Sequence, residues 1–175
     1  TLTFTIDPDD AKDFDDALSF KKLKNNNVEI GIHIADVTHY LEKNTLLDKE
    51  AKKRGTSVYL SDRVIPMLPE ILSNDLCSLN PNEDKNVFSV LVEIDNNFKI
   101  IGKEFSKCLI NSNERMSYQE AQYVIENKNQ KLPADVTISK KKRSLSKELV
   151  EAILHLNSAA LKLKEKRKNE GSVFL

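Results

Sequence analysis

The sequence predicts a mixed α/β fold, an antiparallel-rich sheet made of hairpins with helices packed against it. Three observations support this prediction. Strand-like apolar runs flank a turn-rich stretch at residues 24–27, a second pair flanks residues 95–97, and apolar residues near the end of the chain recur with helical spacing. The 175 residues, 39% of them hydrophobic, are enough for one domain with its own core.

The predicted strands lie mostly in the first two thirds of the chain. The opening run LTFTI has the composition of a strand. We expect ALSFKKL and VEIGIHIA to pair across the Lys-Asn-Asn-Asn stretch at 24–27, because asparagine favours tight turns. FSVLVEI and KIIGKEF are expected to pair in the same way across the Asp-Asn-Asn stretch at 95–97.

Two short helices are predicted from their first residues. Thr45 and Ser117 each precede an acid by three residues, the spacing at which a hydroxyl caps the helix and the acid bonds back. The acid is Asp after Thr45 and the better suited Glu after Ser117. These patterns predict helices at about 46–54 and 118–127.

The longest helix is predicted from about 146 to 168, with Gly171 as its stop. Lysines and glutamates cover one side of this segment, and apolar residues recur every three or four positions on the other. The apolar positions are Leu149, Ile153, Leu156, Ala160 and Leu163. The final residues, GSVFL, have the pattern of a further strand, and TLTFTID opens as a strand without a preceding turn. We therefore expect residues 1–175 to be part of a longer domain.

Bulk composition excludes some classes of protein. Lysine plus arginine equals aspartate plus glutamate, 27 each, so no overall basic field is available to hold a polyanion. No run approaches the roughly 18 apolar residues that cross a bilayer, and no signal-peptide pattern opens the chain, so we expect a cytoplasmic protein without a membrane partner. Cys77 and Cys108 have apolar neighbours and no CxxC spacing, which predicts two buried free thiols.

The most informative segment is TFTIDPDDAKDFDDALSF, which holds six aspartates within ten residues: Asp7, Asp9, Asp10, Asp13, Asp15 and Asp16. Clustered carboxylates repel one another unless a hard cation such as Mg²⁺ neutralises them. Solvation could also stabilise an acidic surface turn, but apolar residues interrupt this one throughout. The segment therefore predicts a divalent-cation site.

The backbone pattern suggests how the acids could meet. Asp7 ends a strand, and Pro8 then turns the chain. Asp13 and Asp15 share a face if the segment is extended, and Asp16 joins them only if the backbone bends. Such an arrangement suits one or two Mg²⁺ ions that activate water for phosphodiester hydrolysis.

Other interpretations of the acids are weaker. An EF-hand is excluded because the fifth position from Asp7, like that from Asp13, is alanine. A phosphatase of the haloacid dehalogenase type would use Asp7 as nucleophile and Asp9 as acid, but leaves the later aspartates unexplained. We expect Asp9 and Asp10 to be solvated loop acids.

Two further groups of residues have side chains that can bind a metal ion or a phosphate. His33, Asp36 and His39 are close in sequence, but their spacing is no standard zinc pattern. Arg54, Arg63 and Arg115 could contact phosphate or form ion pairs, and the sequence leaves both open.

The segment TIDPDDAKDFDDAL resembles the signature of the RNB catalytic domain, shared by ribonuclease II, ribonuclease R and the catalytic exosome subunit. GIHIADVTHYL, LDKEAKKRGTSVYLSDRVIPMLPEILSNDLCSLNP and NERMSYQEAQ follow in the order and spacing of that family, most similar to bacterial ribonuclease R. The resemblance implies that 1–175 is a partial RNB domain, truncated at both ends and without the flanking RNA-binding barrels.

The resemblance also implies a function and site residues. It implies 3′-to-5′ hydrolysis of single-stranded RNA to nucleoside 5′-monophosphates with Mg²⁺, by a monomeric enzyme without an organic cofactor. Asp7, Asp13, Asp15 and Asp16 would bind the metal, with Asp7 and Asp16 as the chief ligands. Asp13 and Asp15 would be catalytic, and Asp15 would matter most for the chemical step. Tyr59 would orient the 3′-terminal nucleotide, whereas its sequence context alone favours a core strand aromatic. A non-catalytic RNA-binding relative is the alternative.

Overall fold

A six-stranded sheet forms the centre of the protein in a computed structural model that describes residues 1–172. Its strands are β1 (Leu2–Asp7), β2 (Asp16–Lys22), β3 (Val28–Ala35), β6 (Asp84–Ile94), β7 (Ile100–Asn111) and β8 (Glu114–Ser117). They lie in the order β7-β6-β3-β2-β1-β8, and every pair is antiparallel except β1 with β8. This confirms the predicted mixed α/β fold and both predicted hairpins.

Four shorter strands lie outside the central sheet. They form two-stranded ladders, β4 with β5 and β9 with β10. Their bounds are β4 (Val58–Tyr59), β5 (Val64–Ile65), β9 (Lys131–Leu132) and β10 (Arg143–Ser144). The short β4–β5 hairpin precedes a π-helical turn, Ile71–Leu76.

The three α-helices begin and end close to the predicted positions: α1 (Leu46–Arg54), α2 (Tyr118–Asn127) and α3 (Lys147–Asn169). Ser117 and Glu120 form the predicted reciprocal cap at the start of α2. At α1 the hydroxyl of Thr45 accepts from the Asp48 amide, but the Asp48 carboxylate accepts from the Asn44 amide one residue further out. Gly171 adopts φ +90° just after α3, as expected of a helix stop.

The main core lies between one face of the sheet and helices α2 and α3. Phe4, Phe20 and Met116 from the sheet pack with Val124 of α2 and Leu149 of α3. Helix α3 departs from prediction in two places: Ala159 is buried while Ala160 is exposed, and Leu163 is exposed as well. Ala159 is the buried one of the two alanines because it lies seven residues after the buried Ala152, and residues seven apart share a face of the helix.

The prediction of two buried free thiols is confirmed for Cys77 and only in part for Cys108. Both are free thiols, and Cys77 is buried, but Cys108 is only partly buried on β7. The proposed strand at 171–175 extends over residues 173–175, which lie outside the described residues. Across residues 1–172, no helix is both long and apolar enough to cross a bilayer.

Gly31 on β3 lacks a side chain, and the buried side chains of Ser19 and His33 occupy the space beside it. A methyl group at Gly31 would lie 2.6 Å from Nε2 of His33 and closer still to Oγ of Ser19. His33 is only 4% exposed, and its Nδ1 lies 2.7 Å from Oγ of Ser89, so the ring has little freedom to move away.

We therefore expect Gly31→Ala to lower the free energy of unfolding by about 1–3 kcal/mol, the usual cost of overpacking a filled interior. Chemical denaturation monitored by circular dichroism measures this change. Gly102→Ala on β7 is the matched control, since nothing lies within 4 Å of the added carbon. Equal stability of the two variants would contradict the packing argument.

Candidate active site

The acidic segment is a loop between two neighbouring strands, so its ends lie close together. Asp7 is the last residue of β1, and Asp16 is the first residue of β2, which pairs with β1. Thr5 to Asp7 also pair with β8, where Asp7 lies opposite Ser117. The chain therefore returns to the sheet beside the point where it left, as the predicted bend requires.

Apolar residues anchor the second half of this loop. Phe14 is 4% exposed and packs with Ala17, Leu79 and Val87 on the sheet face opposite α3. The Phe14 amide donates to Oγ of Ser78 at 3.0 Å, and the Phe14 carbonyl accepts from the Leu79 amide at 2.9 Å. This burial orients the acids on either side of the ring.

Asp13 and Asp15, on either side of Phe14, line one cavity of about 320 Å³. They are therefore on the same side of the loop, as alternation in an extended segment predicts. The cavity is also lined by residues of the β4–β5 hairpin and of the segment that follows it, among them Tyr59, Met67, Leu68, Leu72 and Cys77.

Tyr59 is not a core aromatic, so the prediction from its sequence context alone was wrong. Its side chain is 70% exposed, and it reaches the cavity from a two-stranded hairpin instead of the central sheet. The same hairpin exposes apolar side chains at Val58, Leu60, Val64 and Ile65. An exposed aromatic ring beside a carboxylate cavity is available to stack on a ligand.

The charge of Asp7 is unfavourable in this environment. Burial raises the pKa of Asp7, the nearby charges of Asp16 and Asp15 raise it further, and Thr5 and Arg115 lower it. Its Oδ2 is buried, and no residue among 1–172 forms a hydrogen bond with it. A buried carboxylate oxygen without a partner is suited to accept a cation or a proton.

Asp15 experiences the same kind of electrostatic strain. Its side chain reaches solvent through the cavity, yet the surrounding protein raises its pKa by desolvation, and Asp13 and Asp16 raise it further. The four aspartates selected from the sequence therefore form one connected set of interacting charges, since Asp7 also responds to Asp15 and Asp16.

The four aspartates do not form a complete metal-binding site in this structure. Among the residues that the structure describes, no group of three or more His, Cys, Asp or Glu side chains is placed to hold a metal ion. What favours a cation here is the unpartnered Asp7 oxygen and the mutual repulsion of the carboxylates. The metal-ligand and catalytic roles of Asp7, Asp13, Asp15 and Asp16 stay predictions.

The two acids outside this set differ from each other. Asp10 is exposed, as expected of a loop acid. Asp9 is half-buried, and its Oδ1 is buried without a hydrogen-bond partner, so the prediction of a solvated Asp9 was wrong. The cause is the backbone at Asp9, whose carbonyl accepts from Arg115 and so holds the residue against β8.

The structure gives different contacts to the three arginines for which the sequence allowed either phosphate binding or ion pairing. Arg54 bonds to Glu50 and to the carbonyl of Pro66, which ties α1 to the residue directly after β5. Arg63 is exposed in that hairpin beside Asp62. Arg115 bonds to three carbonyls of the acidic loop, a role that no sequence pattern indicated.

The three residues considered for zinc point to separate partners. His33 bonds to Ser89, and burial lowers the pKa of its ring. Asp36 pairs with Lys107 at 2.8 Å, and this lysine with the Thr38 hydroxyl lowers the pKa of Asp36. His39 packs edge-on against the Tyr40 ring.

A mostly antiparallel sheet with a carboxylate cavity at the ends of its inner strands defines this as an α/β domain with an acidic site. The family model described as the RNB domain matches residues 1–175. The chain belongs to the RNB domain family, which confirms the resemblance found in the sequence.

Individual relatives agree with this assignment. Ribonuclease R 1 of Lactococcus lactis is 52% identical over 124 residues, covering 71% of this chain and 15% of that protein. The structure of Mycoplasma genitalium RNase R in complex with ribose methylated single-stranded RNA superposes with a TM-score of 0.83 at 29% identity, covering 98% of this chain and 25% of that one. Yeast Ssd1, a pseudonuclease, shares the fold with a TM-score of 0.64 at 24% identity, covering 69% of this chain and 15% of that one. The chain thus spans a quarter or less of each relative.

Proposed function

We propose that the protein is a 3′-to-5′ exoribonuclease that hydrolyses single-stranded RNA to nucleoside 5′-monophosphates with Mg²⁺. The observation that supports it most is the single cavity that Asp13, Asp15 and the exposed Tyr59 line together. Carboxylates beside an aromatic platform suit a phosphodiester whose terminal base stacks on the ring. Membership of the RNB family supports the same activity.

The environments of the aspartates support a different role for each. A bound divalent ion would supply Lewis-acid polarisation and an activated water. Asp7, with its unpartnered oxygen, and Asp16 beside it would hold that ion with help from Asp13. Asp15, whose pKa desolvation raises, is suited to orient the attacking water and accept its proton.

Degradation of a 3′-labelled, 5′-blocked RNA by the full-length protein, with and without Mg²⁺, tests the proposal. We expect labelled mononucleotide to be released from the first minutes, only when Mg²⁺ is present. Internal fragments, or release that continues in excess chelator, would contradict it.

Replacing Tyr59 should weaken RNA binding, because the ring is exposed and stacking on an aromatic side chain contributes about 1–3 kcal/mol per base. We expect Tyr59→Ala to raise the dissociation constant for a short single-stranded RNA by about 5- to 150-fold. Fluorescence anisotropy with labelled RNA measures this change.

Tyr59→Phe is the matched control, because it keeps the ring and removes only the hydroxyl. It should bind within about twofold of the unchanged protein, since stacking depends on the ring face. If Tyr59→Ala binds RNA as tightly as Tyr59→Phe does, the hairpin is not the nucleotide platform.

Two alternatives predict different results. A non-catalytic RNA-binding protein is favoured by one observation, the shared fold of the pseudonuclease Ssd1, and would bind RNA without releasing nucleotides. A phosphatase that uses Asp7 as nucleophile would survive Asp15→Asn. Neither the RNB family nor the mostly antiparallel sheet supports the phosphatase.

A further inference from the structure

Arg115 on β8 fastens the first half of the acidic loop. Its Nη2 lies within hydrogen-bond distance of three loop carbonyls, those of Pro8 at 3.2 Å, Asp9 at 2.9 Å and Ala11 at 3.2 Å. Its guanidinium carbon is 4.8 Å from the centre of the Phe14 ring, within the range of a cation–π contact. One side chain from a neighbouring strand thus joins both ends of the loop.

Few other contacts hold this part of the loop. The described backbone bond within it is Ala11 N–H to the Pro8 carbonyl, at 3.2 Å. The second half is anchored separately, by Ser78 and Leu79 to Phe14 and by the Ala35 amide to the Asp15 carbonyl. Loss of the Arg115 contacts would therefore free the stretch after Asp7 while the later aspartates stayed attached.

Arg115 is also electrostatically placed for this task. It pairs in register with Thr5, two residues before Asp7, so the base of its side chain lies beside the end of β1. A cation that bonds to backbone carbonyls brings positive charge to the cluster without occupying a carboxylate oxygen.

We propose that Arg115 is a positioning residue, which sets the path of the loop from Asp7 to Asp15 by binding the carbonyls of Pro8, Asp9 and Ala11. It acts through the aspartates and does not itself contact the substrate. The effect on turnover rests on the proposed nuclease activity, whereas the effect on loop order does not.

Two variants separate the contacts from the charge. Arg115→Met keeps the length and packing of the stem but removes every donor and the charge. Arg115→Lys retains a charged donor on a shorter stem and should recover part of what the methionine variant loses. Arg143→Met is the matched control, because Arg143 also contacts β8, through Glu114 and the carbonyl of Arg115, but does not reach the acidic loop.

Amide hydrogen exchange without RNA or metal gives the first measurement. In Arg115→Met we expect the Ala11 amide to exchange about tenfold faster or more, since each lost hydrogen bond contributes about 1 kcal/mol. Amides of β3 and β6 should keep their rates. Arg143→Met should lower the melting temperature but leave the Ala11 amide unchanged relative to β3.

Steady-state kinetics of the full-length protein give the second measurement. We expect Arg115→Met to lower kcat about 10- to 100-fold with KM for RNA within about twofold, because misplaced catalytic groups affect the transition state more than binding. Arg115→Lys should restore at least part of kcat.

The outcomes are distinct. An Ala11 amide that exchanges equally fast with and without the arginine overturns the proposal, as does faster exchange with unchanged kcat. If Arg115→Met does not fold, the same two measurements on Arg115→Lys decide, and a lysine variant that also fails to fold makes Arg115 a general structural residue. If the unchanged protein releases no nucleotide, the proposed function fails while the exchange result still stands.

Discussion

Asp15→Asn is expected to lower kcat for nucleotide release by about a thousandfold, within the range that one general base contributes. The affinity for single-stranded RNA should stay within about twofold, because the amide has the same size and the cavity keeps its shape. Rapid-mixing single-turnover assays with the full-length protein separate the chemical step from binding. Asp10→Asn, an exposed acid of the same loop, is the control and should keep full activity.

The same substitution should stabilise the metal-free protein at neutral pH. Desolvation and the neighbouring charges of Asp13 and Asp16 raise the pKa of Asp15 in the folded state. A raised carboxyl pKa means that the charged form destabilises the fold above that pKa, and that this penalty disappears as the pH falls below the unfolded-state value. Neutral asparagine removes the penalty, so its melting temperature should exceed that of the unchanged chain at pH 7 and converge with it in acid.

Loss of activity together with loss of stability would contradict this account of Asp15. So would mononucleotide release that persists in the asparagine variant, because the cavity would then lack the proposed base.

Addition of Mg²⁺ should raise the melting temperature of the unchanged protein more than that of Asp15→Asn, because a bound cation offsets the repulsion among the acids.

Glu120→Ala is expected to have the largest effect on folding, lowering the free energy of unfolding by about 3 kcal/mol. The Glu120 side chain is 1% exposed, and it accepts hydrogen bonds from the Ser117 amide and from Nη1 of Arg143. Truncation removes half of the cap of α2 and leaves Arg143 with Glu114 alone as its carboxylate partner. Urea denaturation measures the loss.

Glu126→Ala on the same helix is the control, since Glu126 is exposed and bonds only to Gln122 among the contacts of the described chain. It should change stability by less than about 0.5 kcal/mol. Because Ser117 pairs with Asp7, Glu120→Ala should also loosen the end of β1. A loss no greater than that of Glu126→Ala would show that the buried network contributes little.

The local elements could be predicted because their signals are local. The capped starts of α1 and α2 depend on a hydroxyl and an acid three residues apart, and both hairpins depend on asparagine-rich turns between strand-forming runs. The exception in α3 is instructive. Ala159 and Ala160 are equally apolar neighbours, so only packing against the sheet could select the buried one.

The candidate site was predicted less completely. The aspartates were identifiable because so many like charges within a loop need a partner, and the family motif then marked Tyr59. Asp9 and Arg115 were not identifiable, because their environments depend on contacts across more than 100 residues of sequence between the loop and β8. Cys108 was assigned to the interior because its neighbours are apolar, but its place on the edge strand β7 leaves it partly exposed.

The sequence by itself determined the five longest strands, the three α-helices, the acidic segment and the family, because capping, turn formation and charge repulsion act between residues close along the chain. Only the tertiary structure decided which acids share a cavity, which other residues line it and which arginine binds the carbonyls of their loop. Those relations arise where β1, β2 and β8 meet and where the β4–β5 hairpin approaches them, and they depend on distances in space that spacing along the chain does not encode.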